Sequence, residues 1–258
     1  MLNFAVTDLF FGSNMKIPDN ASPITAGDII LVTGKDSHAL VTAQKLLIPS
    51  AVSSHVVVAH AEAICIDARP KFGVRHRFLL DVFDEVEPTW RVIRKNNITP
   101  TEQEAILKAC PYFLFQSYLI HPLERIGKSK SYCSELARKI YYKANIPINV
   151  PQTGLVIPAH FDLLHQAGDE WQDITNEVKQ WLDVVKDNER DFRFLADNMV
   201  YGLKINRKRF FDREEMRKRL LKQAKSGRIS QEKLEGALAE LDRVDREVTY
   251  KFWDSPRR

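Results

Sequence analysis

Three side chains have the types and the spacing that catalysis by a thiol requires. Cys133 lies in the first turn of a predicted helix over 131–145, SYCSELARKIYYKAN, with Ser131 as its N-cap, and unpaired N–H groups at a helix start favour a thiolate. His55 opens the apolar run HVVV, and Asp67 follows twelve residues later at the end of AICID. A tight turn between two strands would bring Asp67 beside His55, where an acid fixes the tautomer of an imidazole. A thiol, a base and an orienting acid together predict acyl transfer through a thioester.

Each of these residues also has an interpretation without catalysis. A single cysteine near a helix start is most often a small buried hydrophobic residue. His55 could be a hydrogen-bonded structural residue of its strand, and Asp67 could be a turn aspartate beside Arg69. Glu62 is the rival acid within the same segment. The three-residue site is therefore a hypothesis that depends on how the chain brings these segments together.

Other titratable side chains nearby favour structural roles. His60 and Glu62 fall in the predicted turn between two strands and are expected to face solvent. Cys65 could be a neighbour of the site, but core packing is the favoured role, and Cys110 is expected inside an apolar helix. Asp28 follows a glycine at a strand start, which is typical of a turn residue.

The segments around these residues predict an α+β fold. Apolar runs predict strands over 26–32, 53–59, 63–68, 72–78 and 89–95, and the middle three form an antiparallel meander. Helical spacing predicts helices over 38–48, 101–116, 131–145 and 158–167. Thr101 and Glu104 predict a capping box at the start of the second helix, which Pro111 bends or ends.

From about residue 176 the pattern is helical, which divides the chain into a predicted catalytic domain, 1–175, and a helical C-terminal region, 176–258. One helix is predicted to start at Ser230 and to carry an apolar stripe of Leu234, Leu238, Leu241, Val244, Val248 and Phe252. Residues 203–226 hold ten Lys and Arg against three acids, a net charge of +7 where the whole chain carries +4. The simplest interpretation is a solvated helix face with apolar side chains packed inward, namely Phe210, Phe211, Leu220 and Leu221.

Composition excludes several classes of protein. The chain has three cysteines and no CxxC pair, so we expect neither a disulfide framework nor a zinc site. No other metal or cofactor is expected. No stretch approaches the roughly 18 apolar residues of a membrane-spanning helix. The N-terminal residues MLNFAVTDLFFGSNMK lack the basic region and the unbroken apolar run of a secretory signal. We therefore expect free thiols, no transmembrane segment and no signal peptide.

The order of these motifs resembles that of the permuted papain-like amidases of the YaeF/YiiX type, which are relatives of the NlpC-type cysteine peptidases. A Gly-Asp pair opens the first core strand in AGDIILV, SSHVVVA carries His55, and YCSEL carries Cys133. Asp67 occupies a position that is usually Glu in that family. VIPAHFDLL loosely matches a further motif near the end of the family's domain. The resemblance covers about residues 25 to 170 of this chain.

The resemblance implies a circularly permuted papain-like fold, in which an antiparallel sheet packs against the cysteine helix. It implies a cysteine hydrolase in which Cys133, His55 and Asp67 are catalytic and the substrate cleft includes Ser54, Tyr132 and Ser134. The implied substrates are amide bonds of peptides or amino-acid conjugates, with peptidoglycan stem peptides first among them. A lipid acyl substrate is the alternative, because related permuted folds work as acyltransferases.

Two further questions stay open at this point. The core could be an inactive scaffold, with the basic helices over 203–226 binding nucleic acid or anionic lipid; no aromatic nucleic-acid motif accompanies them, so nucleic acid is not expected. A cell-wall substrate without a signal peptide implies either an intracellular target or delivery by a secretion machine that reads no such signal. The second case is that of a toxin effector, with a delivery or immunity partner.

Overall fold

A six-stranded antiparallel sheet is central to the computed structural model, which describes residues 22–119, 129–166, 170–247 and 250–254. Its strands are β1 (Ile29–Val32), β2 (His55–Ala61), β3 (Ile64–Arg69), β4 (Gly73–Phe78), β5 (Arg91–Lys95) and β8 (Trp171–Asp173). The strand order is β4-β3-β2-β1-β5-β8, and every neighbouring pair is antiparallel. A separate parallel pair is formed by β6 (Ser117–Tyr118) and β7 (Lys130–Ser131).

Eight helices accompany the sheet among the described residues, so the fold is α+β. They are α1 (His38–Lys45), α2 (Leu79–Asp84), α3 (Pro100–Tyr112), α4 (Cys133–Lys143), α5 (Pro158–Leu164), α6 (Thr175–Asp187), α7 (Glu189–Lys225) and α8 (Gln231–Glu247). The five predicted strands are present, and α3 ends one residue after Pro111. The short elements α2, β6, β7 and β8 were not predicted, because a few residues are too short to reveal a period.

Burial on both faces of the sheet explains the continuous apolar runs of its central strands. On one face, Leu31 and Val56 pack with residues of α3 and α4. On the other face, Ile30 and Val57 pack with residues of α2, α6 and α7. Since successive side chains of a strand point to opposite faces and both faces are buried here, consecutive residues of these central strands are mostly apolar.

The start of α3 differs from its prediction. Thr99, not Thr101, is the N-cap: the Glu102 N–H donates to Thr99 Oγ1 at 3.2 Å, and the Thr99 N–H donates to the Glu102 carboxylate at 2.8 Å. Both Thr99 and Thr101 precede a glutamate by three residues. Pro100 decides between them, because proline is preorganised for the first helical position.

The first helices of the predicted C-terminal region share their core with the sheet. Val178 and Trp181 of α6 and Phe192 of α7 are buried with the sheet residues of the second face. The division at residue 176 stays a prediction. Helix α7 has 37 residues and packs against α8, and Ser230 caps α8 by accepting the Lys233 N–H at 3.3 Å. Of the predicted stripe on α8, Leu234 is buried, Leu238, Leu241 and Val244 are half-buried, and Val248 lies outside the described residues. Phe252 is buried but lies beyond the end of α8, so its place on the helical stripe was wrongly predicted.

Acidic residues of α8 pair with the basic segment of α7. Arg213 Nε lies 2.7 Å from Asp245 Oδ1, and Arg217 contacts both Asp242 (2.8 Å) and Asp245 (2.5 Å). Of the side chains expected to pack inward, Phe210, Phe211 and Leu220 are half-buried, whereas Leu221 is exposed and that expectation is wrong, because it lies on the outer face of the helix. No helix in the described ranges is long and apolar enough to cross a membrane.

Candidate active site

Strand register brings His55 and Asp67 together. Val58 of β2 lies opposite Ile66 of β3. Continuing this register by one residue places Asp67 opposite Val57. His55 is two residues before Val57 on β2, so its side chain points to the same face of the sheet as those of Val57 and Asp67. His55 Nε2 lies 2.5 Å from Asp67 Oδ1. The twelve-residue interval thus corresponds to two strands and a short turn.

Arg77 of β4 is a second partner of Asp67 that the sequence did not single out. Arg77 Nη1 lies 3.4 Å from Asp67 Oδ2, and Nη2 donates to the Asp81 carbonyl at 3.0 Å. Burial raises the pKa of Asp67, which is 1% exposed, but the positive charges of His55 and Arg77 outweigh burial and the pKa is lowered. The Asp67 carboxylate therefore stays charged at neutral pH, with a positive group at each oxygen.

Cys133 is the first residue of α4, one step nearer the helix start than predicted. The expected N-cap, Ser131, belongs instead to β7, and its hydroxyl donates to Gln116 Oε1 at 2.6 Å. Tyr132 takes the N-cap position in an extended conformation. Since the parallel pair holds the chain extended through 131, the helix can begin only at Cys133, among the N–H groups that lack a helical acceptor.

The Cys133 thiol and the His55 imidazole are coupled. Burial raises the pKa of Cys133, but the charge and hydrogen bond of His55 and the N–H of Val56 outweigh burial, and the pKa is lowered. Burial likewise lowers the pKa of His55, but the negative charges of Asp67 and Cys133 raise it well above its ordinary value. Because Asp67 occupies Nε2, Nδ1 is the nitrogen left for the thiol. This arrangement favours a thiolate–imidazolium pair.

These three residues line a cavity of about 460 Å³, within the range of small-molecule pockets. Much of its wall is apolar, including Leu40, Leu119, Leu155, Val156, Ile157 and Pro158. Arg69, Arg77 and Glu85 supply charge in the same wall. The cavity is therefore a mostly apolar cleft with the Cys133 thiol and several charged groups in its lining.

Tyr118 is a further polar residue of this cavity, and no sequence pattern pointed to it. Its side chain is half-buried. Burial raises the pKa of the Tyr118 phenol, and the nearby charges of Cys133 and Asp67 raise it further. The phenol therefore stays protonated and can donate a hydrogen bond into the cleft.

The structure brings two of the three expected cleft residues to the cavity. Ser54 and Tyr132 line it, and each hydroxyl accepts a backbone N–H, at 3.0 Å and 3.1 Å. Ser134 lies outside this lining: it is fully buried, and its Oγ is 3.7 Å from Cys133 Sγ. Ser54 and Tyr132 therefore shape the cleft by fixing its loops.

Asp162 of α5 holds the segment that leads into His55. Its carboxylate accepts the N–H groups of Val52 and Ser53, both at 2.9 Å, and the Ser53 hydroxyl at 2.6 Å. Gln44 of α1 donates to the Ser53 carbonyl at 3.1 Å. Two helices thus fix the backbone two residues before His55.

The expectation that His60 faces solvent is wrong. β2 continues two residues beyond its predicted end, through a bulge, and carries His60 into the core. His60 Nδ1 lies 2.8 Å from His76 Nε2, and Nε2 lies 3.1 Å from the Leu107 carbonyl. Glu62 is exposed in the turn, as expected. It follows the far end of β2, about 20 Å from His55 at the usual rise of a strand.

The remaining candidates lie in structural positions. Cys65 and Cys110 are fully buried, and burial raises the pKa of both thiols. Asp28 is buried at the start of β1, where it accepts the Thr25 N–H at 2.8 Å and contacts Arg94 Nε at 2.8 Å. In the part of the chain that the structure describes, no group of three or more His, Cys, Asp and Glu could hold a metal ion. No family model matches the chain, and no curated protein or solved structure matches it.

Proposed function

We propose that the chain is a cysteine hydrolase of the permuted papain-like kind that cleaves amide bonds. The observation that carries this proposal is the coupled set of Cys133, His55 and Asp67 in the lining of one cavity. The order of elements supports the fold, because β2 and β3 precede α4, and α4 packs against the sheet. The YCSEL and SSHVVVA motifs support the family.

The reaction is acyl transfer in two steps. The Cys133 thiolate attacks the carbonyl carbon; the new C–S bond forms as the C–N bond breaks, and the His55 imidazolium gives its proton to the departing nitrogen. Water then attacks the thioester while His55 takes a proton from it, and the thiolate leaves. Asp67 keeps its charge throughout and holds the imidazole by Nε2.

Two hydrogen-bond donors are suited to the developing oxyanion. The Cys133 N–H is at the first position of α4 and has no acceptor within the helix. The Tyr118 phenol lines the same cavity and stays protonated because its pKa is raised. A backbone N–H and a phenol on different elements would bind the oxygen from two directions.

Peptides and amino-acid conjugates are the proposed substrates, with peptidoglycan stem peptides first. This follows from the resemblance to the amidase family and from the mixed lining of the cavity, which offers an apolar wall and charged groups. A toxin effector that is delivered to a cell wall and restrained by an immunity partner fits this substrate.

A lipid acyl hydrolase or acyltransferase is the second candidate, and the apolar wall favours it. Leu40, which lines the cavity, is 51% exposed, and the segment after α1 exposes Leu46 and Leu47 to 86% and 70%. An acyl chain would find apolar contacts in the cavity, and the exposed leucines after α1 offer further apolar surface. The chemical step at Cys133 would be the same.

One experiment tests the common mechanism and separates the two substrates. Cys133→Ala and its matched control Cys65→Ala, which changes a buried thiol outside the cavity, are compared with wild type on peptidoglycan stem-peptide digests and on phospholipid vesicles. We expect peptide cleavage, detected by mass spectrometry, in wild type and Cys65→Ala alone. Release of fatty acid instead of peptide products would establish the second candidate, and equal rates in Cys133→Ala would refute both.

A binding role for the basic helices is the remaining alternative. The pairing of Arg213 and Arg217 with acids of α8 supports a structural role for part of that charge. Salt-dependent binding to DNA or anionic vesicles that is unchanged in Cys133→Ala, without any hydrolysis by wild type, would establish the alternative.

A further inference from the structure

Two guanidinium groups converge on one oxygen in the lining of the cavity that holds Cys133. Arg69 Nη1 lies 3.1 Å from Glu85 Oε2, and Arg77 Nη2 lies 2.8 Å from the same atom. All three side chains line the cavity. A carboxylate oxygen held between two arginines has the geometry of an occupied anion site.

Glu85 is a replaceable occupant of this position. Its side chain is 50% exposed, and the residue is the C-cap of α2, at the end of a six-residue helix. Ion pairs with an exposed partner contribute little to stability. Glu85 can therefore turn toward solvent at small cost and leave the position between the two guanidinium groups open to another anion.

The arginines do not depend on Glu85 for their positions. Arg77 is only 14% exposed and is also held by Asp67 and by the Asp81 carbonyl. The Arg69 guanidinium lies 5.6 Å from the centre of the Phe72 ring, over its face. Removing the Glu85 carboxylate would thus leave a preformed positive site inside the cleft.

We propose that Arg69 and Arg77 bind a carboxylate group of the substrate. When no substrate is bound, the Glu85 carboxylate occupies the same position. The inference rests on the proposed function and deepens it: the substrate would be an amide whose acyl or amine part bears a free carboxylate. Exchange of one carboxylate for another keeps the charges of the cleft balanced, while only the substrate gains contacts with Cys133.

A series of alkylating reagents tests the site through Cys133. N-iodoacetyl ω-amino acids with two to five methylenes are compared with their neutral primary amides, and the ratio of the two alkylation rates is measured for each length. At the best length we expect the anion to react faster in wild type, and the ratio to fall about tenfold in Arg69→Gln, the size of one charged hydrogen bond. Glu85→Gln should raise the ratio, because it removes the competing carboxylate.

Lys71→Gln is the matched control. It removes one positive charge from the turn that follows Arg69 between β3 and β4, but Lys71 is exposed and lies outside the cavity lining. An equal fall of the ratio in Lys71→Gln and Arg69→Gln, or no fall in Arg69→Gln at any length, would overturn the anion site.

A second measurement separates this inference from the proposed function. In the Cys133→Ala protein, glutarate should raise Tm, and it should raise Tm less when Arg69→Gln is added. A Tm shift that depends on Arg69, together with a Cys133 that iodoacetamide does not label in wild type, would keep the anion site and refute the hydrolase. If iodoacetamide labels Cys133 but the Tm shift with glutarate does not depend on Arg69, the hydrolase proposal stands and the anion site is refuted.

Discussion

Replacing Asp67 by Asn removes one buried negative charge and turns Oδ2, which Arg77 Nη1 contacts at 3.4 Å, into an amide nitrogen that cannot accept a hydrogen bond. Asn has nearly the same shape, and its amide oxygen can still accept from His55 Nε2, which lies 2.5 Å from Asp67 Oδ1. Arg77 would keep its contacts with the Asp81 carbonyl and Glu85. The substitution therefore tests the charge of Asp67 separately from its position.

The size of the effect follows from the contact distance and burial. An opposite charge within about 4–6 Å shifts a pKa by about 1–3 units, which corresponds to about 1.4–4 kcal/mol. Asp67 is 1% exposed, so solvent screens its charge weakly. We expect the pKa of His55, which Asp67 helps to raise, to fall in Asp67→Asn because the attracting negative charge is lost.

The activity should lose its alkaline range. The reactive pair needs a protonated His55, so the rate declines as pH rises through the pKa of that imidazole. The alkaline limb of the kcat/KM profile should therefore move to lower pH in Asp67→Asn. The raised pKa of His55 also stabilises the folded protein: this contribution to the free energy of unfolding is present below about pH 6.5 and is lost as pH rises through the pKa of His55 in the folded state. In Asp67→Asn this loss of stability should occur at lower pH than in wild type.

The assay is the pH profile of substrate hydrolysis and of Cys133 alkylation by iodoacetamide, with Glu62→Gln as control. Glu62 carries the same charge but lies in the turn at the far end of β2. An alkaline limb that stays in place in Asp67→Asn would refute the assignment of Asp67 as the charge partner of His55. A shift in Glu62→Gln alone would transfer that role to Glu62.

Three further predictions concern the nucleophile, the oxyanion and the loop before His55. Iodoacetamide at neutral pH should label Cys133 well before Cys65 and Cys110, because the pKa of Cys133 alone is lowered; equal labelling by peptide mapping would contradict this. Tyr118→Phe should lower kcat about a hundredfold with little change in KM, and an unchanged kcat would exclude the phenol as an oxyanion donor. Asp162→Asn should lower the free energy of unfolding by about 1–3 kcal/mol in urea titrations, and an unchanged midpoint would show that its hydrogen bonds contribute nothing net.

Local patterns predicted the sheet and the pairing of base with acid. Strand runs separated by one short turn have little freedom in how they pair, so the interval from His55 to Asp67 carried real information about contact. The prediction missed Arg77, which reaches Asp67 from a third strand. It also missed the use of Asp162, whose partner Val52 is 110 residues away in the chain. Contacts of that separation depend on the whole fold and leave no local pattern.

Helix starts were predicted less well, and the physical reason differs between the two cases. Thr99 and Thr101 both satisfy the capping-box spacing, so only the position of Pro100 distinguishes them. Ser131 is a good N-cap by type, but its hydroxyl is used by Gln116 across the parallel pair. Tyr118 lies in that same two-residue pairing, which is too short for any period to predict.

Charges alternate along the row of side chains from the sheet to the helix. Arg77 is positive, Asp67 negative, His55 positive and Cys133 negative, and each neighbour stabilises the next. Alternation lets a thiolate form although the thiol is only 6% exposed, since burial alone would raise its pKa. An aspartate suits this row better than a glutamate would, because His55 and Asp67 are diagonal neighbours on adjacent strands and Arg77 is within reach of the second oxygen. A longer side chain at this position would have to fold back to make both contacts, so Asp67→Glu should lower activity although it keeps the charge.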